Sequence, residues 1–211
     1  MTAQIGDRFI FQGNNYSIVA ISTPIKFNPI QFGITPLSLG TACWAGYWCE
    51  YDISKEGIVL KNLYINSKDN NYPPINGVEA EGGEDKDFKY MGHHLYKNIG
   101  IPVKYTGKIL VGKDFLREYY IHMGYQRAWA YQTLVEFIFE DGSLLDTVDH
   151  SQMAEKLREE MKKNTGKPKP YIEQDIPRFV KNSFSLDIDV KAWWMKPYTE
   201  QKIPDFLKSN L

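Results

Sequence analysis

A mainly β chain with minor α structure is predicted, arranged as an antiparallel barrel or as two packed sheets of about eight strands. Three observations lead there. Apolar and polar residues alternate with period two over 1–150, turn-forming clusters punctuate that alternation, and one order of strands and turns recurs in 7–66 and 100–149.

The elements follow in order. "RFIF" (8–11) and "YSIVAIS" (16–22) flank the turn cluster Gln12-Gly13-Asn14-Asn15 and read as a hairpin. In "FNPIQFG", Asn28 can cap, Pro29 suits the first helical position and Gly33 can end a single helical turn. "TACWAGYWCEYDI" (41–53) and "IVLKNLYI" (58–65) flank Ser54-Lys55-Glu56-Gly57 and read as a second hairpin with long arms. Residues 66–88 are polar and turn-rich, which predicts an exposed loop. "PVKYTGKILVG" (102–112) returns to a strand pattern. In "DFLREYYIHMG", Leu116, Tyr119, Tyr120 and Met123 are spaced i, i+3, i+4 and i+7, predicting a short helix with Asp114 as N-cap and Gly124 as its stop. "AYQTLVEFIFE" (130–140) and "LLDTV" (144–148) flank Asp141-Gly142, the strongest hairpin signal in the chain.

Ile18 to Gly33 and Ile109 to Gly124 have equal separations, and each span is followed by a tryptophan-bearing strand, a glycine turn and a shorter strand. This suggests an internal duplication with halves 7–66 and 100–149. The match needs a one-residue slip at the second turn, so chance similarity is the alternative. Beyond 150 the texture changes. "SQMAEKLREEMKKN" carries a narrow stripe of Met153, Leu157 and Met161 and reads as a helix lying on the 1–150 body. Residues 171–211, with scattered prolines and aromatics, read as a wrapping tail and not as a second core.

The runs "GTACWAGYWCEY", "LKNLYI" and "GKILVGKDFLREYYIHMGY" resemble a family of small bacterial proteins that carries no established activity, and chains of this size and type suggest the immunity type; the resemblance covers most of 1–150 and assigns no functional residue.

Composition narrows the function. Of 211 residues, 25 are Lys or Arg and 26 Asp or Glu, for a net charge of −1, so nothing draws the chain to a phosphate backbone and no nucleic acid is expected. The start "MTAQIGDRFIF" has neither the basic nor the apolar part of a secretory leader, and no apolar run is long enough to span a bilayer. A cytoplasmic protein without membrane contact is the expectation. Cys43 and Cys49 are the only cysteines; six residues apart on one extended strand, they would lie roughly 20 Å apart, too far for a disulfide. Two free thiols fit a reducing compartment.

Alternation through 41–53 places Cys43, Ala45, Tyr47, Cys49 and Tyr51 on one face and Trp44, Gly46, Trp48 and Glu50 on the other. Neither face is polar, which predicts burial on both. Gly46 between two tryptophans leaves a gap where a ring from elsewhere, or a ligand, could lie. Packing alone accounts for the segment most simply. Cysteine catalysis is disfavoured, because apolar surroundings raise a thiol pKa and blunt it. The histidines show no metal-ligand spacing, and neither a metal nor a cofactor is expected. Glu50 and Glu136 hold similar places in the two halves and could face one cavity as an acid/base pair, although two solvated carboxylates explain the same letters. Arg117 and His122 could line a barrel mouth. An acidic stretch at Glu79, Glu81, Glu84, Asp85 and Asp87 could steer a basic partner.

The first functional expectation is therefore a non-enzymatic binding protein that engages another protein, such as a basic toxin domain, in the manner of an immunity protein or inhibitor. The second is a small-molecule site inside a barrel, binding or enzymatic, walled by Trp44, Trp48 and Trp129, with Glu50, Glu136, Arg117 or His122 as its polar groups.

Overall fold

Gln12 and Gly13 both take positive φ, 50° and 75°, so the chain reverses in two residues and β1 (Arg8–Phe11) pairs antiparallel with β2 (Asn14–Ile21). The computed structural model describes residues 3–54, 57–82, 94–122 and 124–165. The predicted tail at 171–211, and Glu84, Asp85, Asp87 and Met123, lie outside the described residues. After β2 comes the expected single turn, a 3-10 turn at Pro29–Phe32; the Asn28 side chain accepts from the Ile30 N–H, and Gly33 at φ 78° ends it.

The long strand predicted from residue 41 starts later, as β3 (Tyr47–Ser54). Residues 41–46 are instead folded into close turns, with Cys43 N donating to Gly40 O at 3.3 Å and Gly46 N to Cys43 O at 3.1 Å. Cys43 and Cys49 therefore do not share a strand. β3 pairs antiparallel with β4 (Gly57–Ile65) as predicted. It also pairs with β1, and there the strands are parallel, with Arg8 opposite Glu50 and Phe9 opposite Tyr51. A parallel neighbour needs a crossover connection, which the long segment 22–46 supplies.

Short strands β5 (His94–Tyr96) and β6 (Ile101–Pro102) both join β4. β7 (Gly107–Phe115) pairs with β2 and with β8 (Tyr131–Glu140), and β8 turns through Asp141-Gly142 into β9 (Ser143–Asp149). The helix predicted at 114–123 does not form: β7 runs on to Phe115 opposite Tyr131, and Leu116 N donates to Ala130 O at 2.7 Å. The sheet takes the backbone groups a helix would need, leaving a 3-10 turn at Arg117–Tyr119 with Tyr119 buried and Tyr120 half exposed.

The strands form one mixed sheet in the order β5-β4-β3-β1-β2-β7-β8-β9, with β6 added on β4. The chain is mostly β, and the sheet does not close into a barrel. It coils until the β8–β9 turn meets the start of β4, where Ile58 N donates to Gly142 O at 2.9 Å, but that contact is a turn against a strand end and not a ladder. Strand, 3-10 turn, long strand and hairpin recur in both halves; however, β1 stands between β2 and β3, whereas β7 pairs directly with β8.

Inside the coil the sheet's own side chains fill the space. Phe9 on β1 meets Phe137 on β8 with ring centroids 5.3 Å apart, and Tyr51, Leu60, Ile109 and Phe139 complete the same buried cluster. The predicted helix α1 (Ser151–Thr165) lies against the other face of β8. Among its described side chains Ala154 and Arg158 are buried; the Arg158 guanidinium donates to the carbonyls of Trp129 and Tyr131, each at 3.0 Å. Among the described residues no helix is long and apolar enough to cross a membrane.

Candidate functional site

From Trp48 to Tyr51 every residue of β3 is buried, so the strand is covered on both faces. Cys49 and Tyr51 join the core inside the coil. Trp48 and Glu50 point the other way and build a polar assembly on the convex face. Trp48 stacks on Tyr64 of β4 with centroids 3.7 Å apart and planes at 4°. Arg8, opposite Glu50 in the parallel register, sets its guanidinium 4.8 Å from the Trp48 ring centroid and 3.6 Å from Glu50 Oε1. The other oxygen, Oε2, accepts from Asn62 Nδ2 at 2.7 Å and from the Tyr64 hydroxyl at 3.2 Å. Glu50 is thus 6% exposed and held by three neighbours, which satisfies a buried carboxylate.

Glu136 forms a second buried assembly. Lys108 Nζ approaches Oε1 at 3.2 Å and His150 Nε2 approaches Oε2 at 3.6 Å. Burial raises its pKa, but His150 and Lys108 outweigh burial and hold the carboxyl below its usual value. The two glutamates do not face one cavity. Their strands are four ladder steps apart in the sheet, β3-β1-β2-β7-β8, a separation of about 19 Å at the usual strand spacing.

The aromatic wall is dispersed as well. Trp129 is buried with Tyr119 and Leu134 beneath α1, Trp48 lies on the convex face of β3, and Trp44 is 61% exposed in the turns ahead of β3. Arg117 and His122 are exposed near the 3-10 turn at Arg117–Tyr119. Of the seven candidate residues, Trp48 and Glu50 come together in one polar assembly, through Arg8. The gap foreseen at Gly46 is filled by backbone: a methyl built there would lie 2.7 to 2.8 Å from the C, N and O atoms of Leu37.

Two groups that period and spacing did not single out carry the chemistry of this region. Arg8 is one, since its pairing with Glu50 spans the crossover between β1 and β3. The other is Asp7, whose Oδ1 accepts from Cys49 N at 2.8 Å and whose pKa burial pushes up to about 6, that hydrogen bond opposing. Around it, burial pushes Cys43 up to about 11 and raises Cys49, Tyr47 and Tyr51, with Coulombic repulsion from Asp7 adding to each. Among the described residues no group of three His, Cys, Asp or Glu side chains could hold a metal ion.

Both cysteines are free and buried, and the Cys43 thiol donates to Tyr47 O at 3.4 Å. Neither thiol is expected to react with iodoacetamide in the native protein at neutral pH, and both are expected to react in denaturant. Mass spectrometry after timed labelling reads this out, and fast stoichiometric modification of either native thiol would count against the packing role. In comparisons with protein-family models, with curated proteins and with solved structures, the chain matches none.

Proposed function

We propose that this protein is a binding module whose ligand is another protein, engaged by the loop 38–44. The observation that carries the reading is Trp44, 61% exposed beside Leu39 at 60%, on a loop that is braced from behind. Gln4 Nε2 donates to Thr41 O at 2.6 Å, Ile5 N to Ala42 O at 2.8 Å, and the Ser38 hydroxyl to Gly40 O at 3.0 Å. A tryptophan presented on a pre-ordered backbone loses little entropy on association, and exposed aromatic anchors of this kind dominate protein interfaces.

A basic partner suits the rim. Glu79 and Glu81 are exposed, and Glu81 bridges backbone to backbone with Leu95, which packs in the same cluster as Cys43 and Trp48. Acidic charge on the segment paired with Leu95 would speed capture of a positively charged domain, the mode of action of an inhibitor or immunity protein.

The test is affinity capture from the source cell with the wild-type protein and with Trp44→Ala. The wild type is expected to retain one basic protein in stoichiometric amount. Trp44→Ala is expected to lose it by roughly tenfold or more in affinity, at unchanged thermal stability because the ring is solvent-exposed. Retention of nothing by the wild type, or equal retention by the variant, would refute the reading.

A further inference from the structure

Beside the convex assembly lies a cleft of about 220 Å³, half open to solvent, between the N-terminal segment, the β1–β2 hairpin and the chain just before β8. Ile5 and Ile18 are its aliphatic walls, Tyr125 and Tyr131 its aromatic ones, and Ser17 and Arg8 line it with polar groups. Arg8 is the charged residue of that lining. Its side chain is 43% exposed and is held in place by Trp48 on one side and Glu50 on the other.

The state of that guanidinium is the informative feature. Arginine carries five N–H donors in a planar fork. Among the described residues none of them makes a hydrogen bond: the approach to Glu50 Oε1 is 3.6 Å, an ion-pair distance too long for a hydrogen bond. Glu50 meanwhile takes its short hydrogen bonds from Asn62 and Tyr64 through Oε2. Glu50 therefore aims the guanidinium without saturating it. An oriented guanidinium fork at the edge of a cleft whose lining is about half polar and half apolar matches a planar oxyanion that carries a small apolar body.

We infer that this cleft binds a small organic acid, its carboxylate paired with the Arg8 fork and its hydrocarbon or aryl part lying between Ile5, Ile18 and the two tyrosines. The size sets the class, because 220 Å³ falls below the roughly 300 Å³ at which pockets for drug-sized ligands begin. The buried negative charge of Glu50 behind Arg8 opposes the incoming anion, so the affinity is weak and falls with salt. The inference stands apart from the protein-binding loop, although Gln4 touches both, lining the cleft and donating to Thr41 O.

Titration of the full chain with benzoate, followed by amide proton–nitrogen NMR shifts at neutral pH, tests it. Saturable shifts at Gly6, Arg8 and Ser17 are expected within about 20 mM ligand, with the neutral isostere benzamide binding roughly tenfold or more weakly. Arg8→Met is expected to weaken benzoate to the level of benzamide. Gly6→Leu supplies a variant that keeps the arginine: a Cβ there meets Ile18 O at 3.5 Å and Tyr125 at 3.6 Å, ordinary contacts, so the longer side chain fills the cleft without backbone strain. It too is expected to weaken benzoate at least tenfold. Equal binding of benzoate and benzamide, inorganic phosphate binding as tightly as benzoate, unchanged affinity in either variant, or shifts confined to Leu39 and Trp44 would each overturn the assignment.

Discussion

Gly46→Ala is expected to destabilise the protein by about 3 kcal/mol or more, enough to unfold a domain of marginal stability. Two effects add at this position. The residue takes φ 76°, the left-handed region where a side chain costs about 1 kcal/mol. A Cβ would also stand 2.7 to 2.8 Å from backbone atoms of Leu37, and that backbone cannot yield cheaply. Leu37 N donates to Asn66 O at 2.8 Å while Asn66 N donates to Gly46 O at 3.0 Å, so the three residues are tied together where β3 and β4 meet the crossover. Gly13 offers the control. It has nearly the same φ, 75°, and nothing within 4 Å of an added Cβ, so Gly13→Ala is expected to cost only about 1 kcal/mol. Urea unfolding of both variants separates conformational strain from the clash. Equal losses would mean that the Leu37 backbone gives way.

Asp7→Asn is expected to stabilise the protein at neutral pH by about 2 to 3 kcal/mol and to leave it unchanged near pH 3. Burial raises the Asp7 pKa from its ordinary 3.8 to about 6. A folded-state value above the unfolded one means that the native state holds the extra proton between those limits. Its contribution to stability is complete below pH 3.8 and is lost as pH rises through about 6. At neutral pH the carboxylate is charged against its surroundings: its hydrogen bond comes from Cys49 N, and the neighbouring Cys43, Tyr47, Cys49 and Tyr51 stay neutral because their own pKa values are raised. Asparagine keeps an oxygen for Cys49 N and removes the charge. The quantity to plot is the stability difference between variant and wild type against pH, since that cancels other titrations such as that of Glu136. A variant less stable than the wild type at pH 7 would sink the prediction.

Much of the local structure was legible. Gln12-Gly13 and Asp141-Gly142 form the tight turns expected of them, Asn28 caps the turn that Gly33 ends, and α1 starts at Ser151. Each depends on residues within a few positions of one another. The predicted helix at 114–123 failed for the opposite reason: its apolar spacing was real, but β8 competed for the same backbone, and pairing with the sheet won. The candidate site was legible only in part. Trp48 and Glu50 were singled out, while Arg8, which binds them into one assembly, sits about forty residues earlier and gives no periodic signal.

The sequence by itself determined the mainly β class, the hairpin turns, the closing helix and the two-sided burial of β3. Alternation, glycine at positive φ and helical spacing act over distances that the covalent chain enforces. Tertiary structure alone decided that the sheet is mixed and open, that β1 enters between β2 and β3, and that the backbone of Leu37 occupies the space above Gly46. It also decided that Glu50 and Glu136 lie strands apart and that Arg8, ion-paired to Glu50, reaches the cleft. Those outcomes depend on which distant strands pair and in what register, and many registers satisfy the same local pattern. Long-range packing, such as that of Phe9 against Phe137 and Phe139 inside the coil, selects among them.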